Sequence, residues 1–263
     1  MEDKENGQMR IKKVAKKLIR VAGYEITKLH PPVRPPSNKS LYDQDSLRTV
    51  HNHDFMKDLD FIAAYQRGVK ADKDHKMHWR VHVALWAASH AKHLEGDFVE
   101  CGVSKGFLSS AIATYLNWNS LNKQFFLFDT FCGIPEHCLN ENERKQGRSE
   151  FGKELYSECY EQVKANFAEF KNVHLIRGVV PDTLLAEDIK KVCYLSIDMN
   201  CAEPEIAAAE FFWDKMVSGA IALLDDYAYV GFDEQKKAFD KFALNKGVKI
   251  LSLPTGQGLY IKP

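Results

Sequence analysis

The stretch Gly96 to Gly106 (GDFVECGVSKG) constrains this chain more than any other. A short run of aromatic and β-branched residues ends at Glu100, passes through Gly102 and Gly106, and leads into the apolar run Phe107 to Leu116. That order predicts a strand, a tight glycine turn and a helix. Such a turn admits a ligand close to the backbone, because glycine has no Cβ to block it. Glu100 at the strand end can then accept hydrogen bonds from a cationic or hydroxylated part of the ligand. The spacing E-x-G-x-x-x-G departs from the dinucleotide fingerprint, so the ligand class has to come from the rest of the chain.

After Gly96 strands and helices alternate. The strands are Phe98–Cys101, Gln124–Asp129, Val173–Arg177, Val192–Ile197 and Ala220–Leu224, with Ile250–Leu253 and Gly258–Ile261 flanking a turn at Pro254 to Gly256. Helices are predicted at Phe107–Leu116, at Phe151–Phe170 (Leu155, Cys159, Val163 and Phe167 four apart), after Pro204, and at Phe232–Leu244. The expected fold class is α/β: a doubly wound, mostly parallel seven-stranded sheet of Rossmann-like type, covered on both faces and closed by an antiparallel edge hairpin. Upstream, Ser46–Gly68 (Phe55, Leu59, Ile62, Ala63) and Asp74–Leu94 (Met77, Val81, Ala84, Leu85, Ala88) predict two accessory helices that could form a lid or a dimer surface. The chain then divides into residues 1–36, 37–95 and 96–263.

Residues Met9 to Leu29 carry Arg10, Lys12, Lys13, Lys16, Lys17, Arg20 and Lys28 against a single Glu25. Ile11, Val14, Ala15, Leu18 and Val21 recur at helical spacing, so a basic amphipathic helix is expected, able to touch an anionic membrane surface or a partner. The proline-rich His30–Pro36 reads as a linker. No long apolar signal core is present in this segment, and no run reaches the ~20 apolar residues of a membrane span. Lys plus Arg and Asp plus Glu are 36 each, which gives no global field for nucleic acid. Six cysteines without a C-x-x-C pair argue against a disulfide framework and for a reducing, cytoplasmic setting.

The acids carry the chemistry. Open parallel sheets bind ligands at the carboxyl ends of their strands, and Glu100, Asp129, Asp198, Asp225 and Asp226 all occupy such ends. Asp129 suits ribose hydroxyls. Asp198, Asp225 and Asp226 follow adjacent strands and can converge on one hard cation such as Mg²⁺. His75, His78 and His82 share one face of the second accessory helix, where they could hold zinc or line a pocket. Tyr160 and Lys164 have the Y-x-x-x-K spacing of short-chain dehydrogenases, but no glycine-rich G-x-x-x-G-x-G opens the chain.

The segments VECGVSKG, FDTFCGIP, RGVVPDTL, YLSIDMNCAEPE and ALLDDYAYVGFDEQKKAFDKF together resemble the macrocin O-methyltransferase family over about Gly96 to Pro263. The resemblance implies a class I S-adenosylmethionine-dependent enzyme that needs Mg²⁺ and methylates hydroxyls of sugars in natural products or polysaccharides. It implies that Glu100 and Gly102 line the methionine end of the cofactor, that Gly106 also belongs to the cofactor site, that Asp129 holds the ribose, that Gly178 to Asp182 runs along the adenine, and that Asp198, Asp225 and Asp226 bind metal. Family members usually read IDGDLYEST where this chain has IDMNCAEPE, which puts Asn200 in place of the second aspartate. Candidate bases for the acceptor hydroxyl are Asp198, His78 and His82. The competing expectations are a scaffold that keeps the fold without catalysis and a nicotinamide-dependent oxidoreductase.

Overall fold

The run Phe98-Val99-Glu100-Cys101 is buried along its whole length, which only a central strand with both faces covered allows. The structure, a computed structural model, describes residues 41–263. The basic helix and proline-rich linker expected before residue 37 lie outside the described residues. The compact unit considered below comprises Tyr42–Thr49 and His53–Pro263.

In chain order this unit contains the hairpin strands β1 (Tyr42–Gln44) and β2 (Leu47–Thr49), then helices α1 (Leu59–Ala71) and α2 (His78–Ala91). Next come β3 (Asp97–Cys101), α3 (Phe107–Tyr115), β4 (Phe125–Asp129), α4 (Glu141–Lys145), α5 (Arg148–Leu155) and α6 (Tyr160–Phe167). They are followed by β5 (Val173–Arg177), β6 (Val192–Ile197), α7 (Ala202–Trp213), β7 (Met216–Leu224), α8 (Asp233–Lys246), β8 (Leu251–Ser252) and β9 (Gly258–Ile261). The large sheet has the order β5-β4-β3-β6-β7-β9-β8. The pairs β3–β4, β4–β5, β3–β6 and β6–β7 are parallel, and β7–β9 and β8–β9 are antiparallel. This is the expected doubly wound sheet with its edge hairpin. The order reverses between β3 and β6, which locates the ligand crevice.

Alternation along β3 feeds two cores. Phe98 joins Phe61, Val81, Ala111 and Val163 from α1, α2, α3 and α6. Val99 and Cys101 join Ala208, Phe212, Phe239 and Phe242 from α7 and α8. Fully burying a side chain of this size stabilises by roughly 1.5–3 kcal/mol, so the two layers hold the sheet from both sides. All six cysteines are free.

Three local expectations are corrected. Residues Leu47–Thr49 belong to a hairpin rather than to a helix, because Asp45 and Ser46 take left-handed backbone (φ 50° and 58°) and reverse the chain. The helix that follows starts at Leu59, with the Asp58 carboxylate accepting from the Phe61 N–H at 2.8 Å. Its buried face is Phe61, Ala64, Tyr65, Gly68 and Ala71, while Leu59 is exposed. Packing on α3 sets that rotation: a Cβ on Gly68 would lie 2.6 Å from the Phe107 ring. The single helix expected over Phe151–Phe170 is two helices, broken at residues 156–159. There the Cys159 N–H is taken by the Phe131 carbonyl at 2.8 Å, and Leu155 is exposed.

Gly102 has φ +90°, and a Cβ built on it would sit 1.8 Å from the Asp198 carbonyl oxygen. The glycine is therefore required by the approach of β3 to the end of β6. This packing demand stands beside the ligand access expected of the turn, since Gly102 also lines the cavity described below. Gly231 has the same φ of +90° but open space around it. We expect Gly231→Ala to cost only the left-handed backbone penalty of ~1–2 kcal/mol, and Gly102→Ala to cost several kcal/mol more, read as the difference in urea midpoints. Equal losses would show that the Asp198 contact is unimportant.

Candidate active site

Register brings the acids together. Ile197 on β6 lies opposite Leu224 on β7, so Asp198 and Asp225, one residue further on, emerge side by side, and Asp226 follows. Each of the three offers an oxygen within 4.8 Å of the others, the one such cluster of His, Cys, Asp or Glu among the described residues. Burial, then repulsion from Asp225 and Asp226, pushes the Asp198 carboxyl well above the usual carboxylate range. Burial, then Asp225 and Glu205, does the same to Asp226. Asp226 Oδ2 is buried without a hydrogen-bond partner. Three crowded carboxylates, one with an orphaned oxygen, suit a hard divalent cation.

Their neighbours are arranged around that cluster. Arg80 Nη1 donates to Asp225 Oδ2 at 2.5 Å and Arg80 Nε to Asp45 Oδ2 at 2.8 Å. The guanidinium lies 4.5 Å from the Tyr229 ring centre. Burial opposes its charge, but Asp225 and Asp45 hold its pKa above the ordinary value. Gln257 Nε2 donates to Asp225 Oδ1 at 2.9 Å, and Asn200 Nδ2 donates to Asp198 Oδ1 at 3.1 Å. Two of the three acids are thus fixed in orientation before any ligand arrives.

A cavity of about 380 Å³ opens along this rim. Of the residues expected from sequence, Glu100, Gly102, Asp129, Gly178, Asp198 and Asp225 line it. Asp226 joins the carboxylate cluster without lining the cavity. Burial, then Asp198 and Asp129, raises the Glu100 carboxyl well above its ordinary range, and its Oε2 is buried without a partner. A cationic group on a ligand would satisfy both features. Asp129 Oδ2 accepts from the N–H groups of Val103 and Ser104 at 2.6 and 2.7 Å, and Oδ1 from Phe131 N–H at 2.6 Å. The carboxylate therefore ties the glycine turn to the end of β4 and leaves at most one lone pair, on Oδ1, for a ligand hydroxyl.

The remaining expected residues stand elsewhere. Gly106 (φ +84°) begins α3, where a Cβ would lie 2.5 Å from the Phe167 ring, and it does not line the cavity. Asp182 is exposed and outside the lining, unlike Gly178, Val179 and Val180 before it. His78 and His82, expected as bases or as part of a zinc face, are absorbed by aromatic packing. His78 stacks on Tyr65 at 4.1 Å and His82 on Phe55 at 4.0 Å. Burial lowers the pKa of both, and neither lines the cavity. His75 does line it, with Nε2 2.6 Å from Asp72 Oδ2. Tyr160, of the dehydrogenase-like spacing, lies outside the lining beneath Arg177, 5.1 Å from its guanidinium.

Sequence reasoning passed over Arg80, Tyr156 and Gln257. Arg80 had a signal: it shares a buried helical stripe with Ala84, Ala87 and Ala91, where a charge needs a partner. Tyr156 and Gln257 had none, since each is presented by an irregular segment.

Replacing Asp129 tests the turn. Asp129→Ala removes the acceptor for three backbone N–H groups, each costing ~1–3 kcal/mol if left unsatisfied. We expect a clear fall in thermal midpoint, with Asp129→Asn intermediate, read by circular dichroism.

Comparison with known proteins bears on this arrangement. No curated protein matches the sequence. Among solved structures, the O-methyltransferase NovP superposes with a TM-score of 0.61 at 20% identity, over 70% of this chain and 79% of that one. The calicheamicin methyltransferase CalS11 superposes with a TM-score of 0.55 at 17% identity, over 80% and 94%. At these identities the likeness speaks for the fold. The sequence model of macrocin O-methyltransferase (TylF) matches residues 80–251, a span that holds Arg80, the glycine turn and all the strand-end acids. The chain belongs to the macrocin O-methyltransferase (TylF) family.

Proposed function

We propose that this protein transfers a methyl group from S-adenosylmethionine to a hydroxyl of a sugar or sugar-containing small molecule, assisted by Mg²⁺ at Asp198, Asp225 and Asp226. The observation that carries the reading is the grouping of those three carboxylates within 4.8 Å at the rim of the cavity that Glu100 lines. When bound, the cofactor supplies an already activated methyl group, and the cation supplies charge that makes a hydroxyl easier to deprotonate.

The chain's own residues do the rest. Glu100 would receive the cofactor's amine, and Asp129 one of its ribose hydroxyls while holding the turn at Val103 and Ser104. Gly178 to Val180 would border the adenine. Arg80 and Gln257 hold Asp225, and Asn200 holds Asp198, so the cation ligands need little reorganisation. Preorganisation of this kind is what in-line transfer rewards, because reacting atoms must be held ~3–3.5 Å apart. With Asn200 unable to accept a proton and His78 and His82 packed away, Asp198 is the member of the expected base set that lines the cavity.

Two measurements test this. Tritiated methyl transfer is followed to a panel containing dTDP-rhamnose, methyl rhamnoside and catechol, with Mg²⁺ or EDTA. We expect labelled product with Mg²⁺, at least a hundredfold less with EDTA, and a comparable loss in Asp225→Ala. Binding of S-adenosylhomocysteine without transfer to any acceptor would favour a scaffold, and transfer indifferent to EDTA would remove the cation.

The second measurement is stability against pH. The Asp198 and Asp226 carboxyls are raised in the folded state, so their stabilising contribution is present below the ordinary carboxylate range and is lost as pH climbs through the raised values. A divalent ion binds the ionised form and restores it. Mg²⁺ should therefore raise the thermal midpoint at about pH 8 far more than at about pH 5, and the difference should vanish in Asp226→Asn. An Mg²⁺ effect that does not change with pH would contradict the assignment.

A further inference from the structure

We propose that Tyr156 is the residue that grips the acceptor, donating its phenolic hydrogen to an oxygen adjacent to the one methylated, and that Asn200 sets the direction of that bond. The assignment rests on the methyl-transfer reading above.

Tyr156 reaches the site because α5 stops short. Helical spacing continues through the segment, yet the helix ends at Leu155 and Tyr156 takes extended backbone (φ −116°, ψ 138°), its N–H capping the Gly152 carbonyl at 3.0 Å. Tyr156 then lines the cavity alongside Asp198 and Asn200. On the other side, Asn200 sits in left-handed backbone (φ 60°) directly after the β6 rim.

The hydrogen bonds between them fix a direction. Asn200 Nδ2 contacts Asp198 Oδ1 at 3.1 Å and Tyr156 Oη at 3.2 Å. With Asp198 ionised, the form a cation at the site requires, its carboxylate only accepts, so the amide must turn its NH₂ group toward Asp198, and its second hydrogen then goes to the phenolic oxygen. Tyr156 is thereby the acceptor in its bond with Asn200. Its own hydrogen has no acceptor among the described residues and is free for a molecule in the cavity. Burial and the neighbouring Asp198 and Asp226 keep the phenol protonated, so the group is a neutral donor.

A donor aimed at the attacking oxygen would draw on the lone pair needed for methyl transfer. The productive partner is a neighbouring oxygen of the acceptor. The acceptor class is accordingly a molecule with oxygens on adjacent carbons, one lying beside the Asp198, Asp225 and Asp226 cluster and the other bonded by Tyr156. Asn200 acts only through Tyr156 and Asp198, as a positioning residue. An aspartate at 200 would accept the phenolic hydrogen and take the donor away from the acceptor.

Two chemically different substitutions should therefore have the same effect. Tyr156→Phe deletes the donor, and Asn200→Asp reverses it. The probes are dTDP-rhamnose and catechol at saturating S-adenosylmethionine and Mg²⁺, with S-adenosylhomocysteine affinity measured by calorimetry in every variant. Each single variant should raise the acceptor KM about three- to tenfold, the loss of one neutral hydrogen bond, with a smaller change in kcat. The double variant should be no worse than Asn200→Asp alone, because Tyr156→Phe removes only a bond that Asn200→Asp has already removed. Affinity for S-adenosylhomocysteine should stay within about twofold of wild type, since no cofactor contact is assigned to the phenol. A wild-type KM in Tyr156→Phe, multiplying effects in the double variant, or cofactor affinity that falls in step with KM would overturn the assignment. If the wild-type protein methylates neither probe, the acceptor reading fails first and this assignment falls with it. If it methylates one and Tyr156→Phe is inert, only the assignment falls.

Discussion

At the centre of the sheet the backbone of Gly102 lies so near the Asp198 carbonyl that no side chain fits between them. The Asp198 N–H donates to the Cys101 carbonyl at 2.8 Å, and the Gly102 N–H to the Phe128 carbonyl at 2.8 Å. These bonds knit the ends of β4, β3 and β6 together at the point where strand order reverses. Glu100 and Asp198 can border one cavity because of this approach, and a bulkier residue at 102 would part the strands that carry them. The two cores on either face serve the same contact, since they hold β3 between its neighbours.

Gathering acids in so small a space has an electrostatic cost, which the protein offsets unevenly. Asp225 is satisfied on both oxygens, by Arg80 and Gln257. Asp198 is held on one by Asn200. Glu205, buried at the start of α7, accepts from the Met199 N–H at 3.1 Å and steadies the loop after β6. Glu143 takes the Ala202 N–H at 2.7 Å and the Asn140 N–H at 2.9 Å, so α4 is fastened to the start of α7. Among the described residues, the buried carboxylate oxygens left bare are Glu100 Oε2 and Asp226 Oδ2. Unpaired buried carboxylate is costly, and a site built to take a cationic amine and a divalent ion would leave its deficits at such positions.

The parts of this design that rest on local pattern were readable in the chain. Buried parallel strands appear as continuous apolar runs ended by an acid, as in Phe125–Asp129 and Val192–Ile197 with Asp198, whereas Val173–Arg177 was placed by the alternation of strand and helix and the closing hairpin by its turn at Pro254 to Gly256. Helices were readable from one buried stripe, as in α2, or from a continuous apolar run, as in α3. Pattern misled where distant contacts outweigh it. The helix expected through Tyr156 is cut by the Phe131 carbonyl claiming Cys159, and the histidines of α2, set out as a ligand face, stack on Phe55 and Tyr65 instead. The hairpin at Asp45 and Ser46 replaced the start of a predicted helix because two residues take backbone that helical spacing does not reveal.

The sequence alone determined the class of fold, the glycine turn and the placing of acids at strand ends, because each is set within a few residues by side-chain size, burial period and turn geometry. Tertiary structure decided which of those acids meet, which way their neighbours donate and which oxygens are left unpaired. Asp225 is oriented by Arg80 from 145 residues away, and the phenol of Tyr156 meets Asn200 from 44 residues away. Charge and hydrogen-bond direction depend on what lies within a few ångströms in space. No spacing along the chain encodes that until the strands have taken their order.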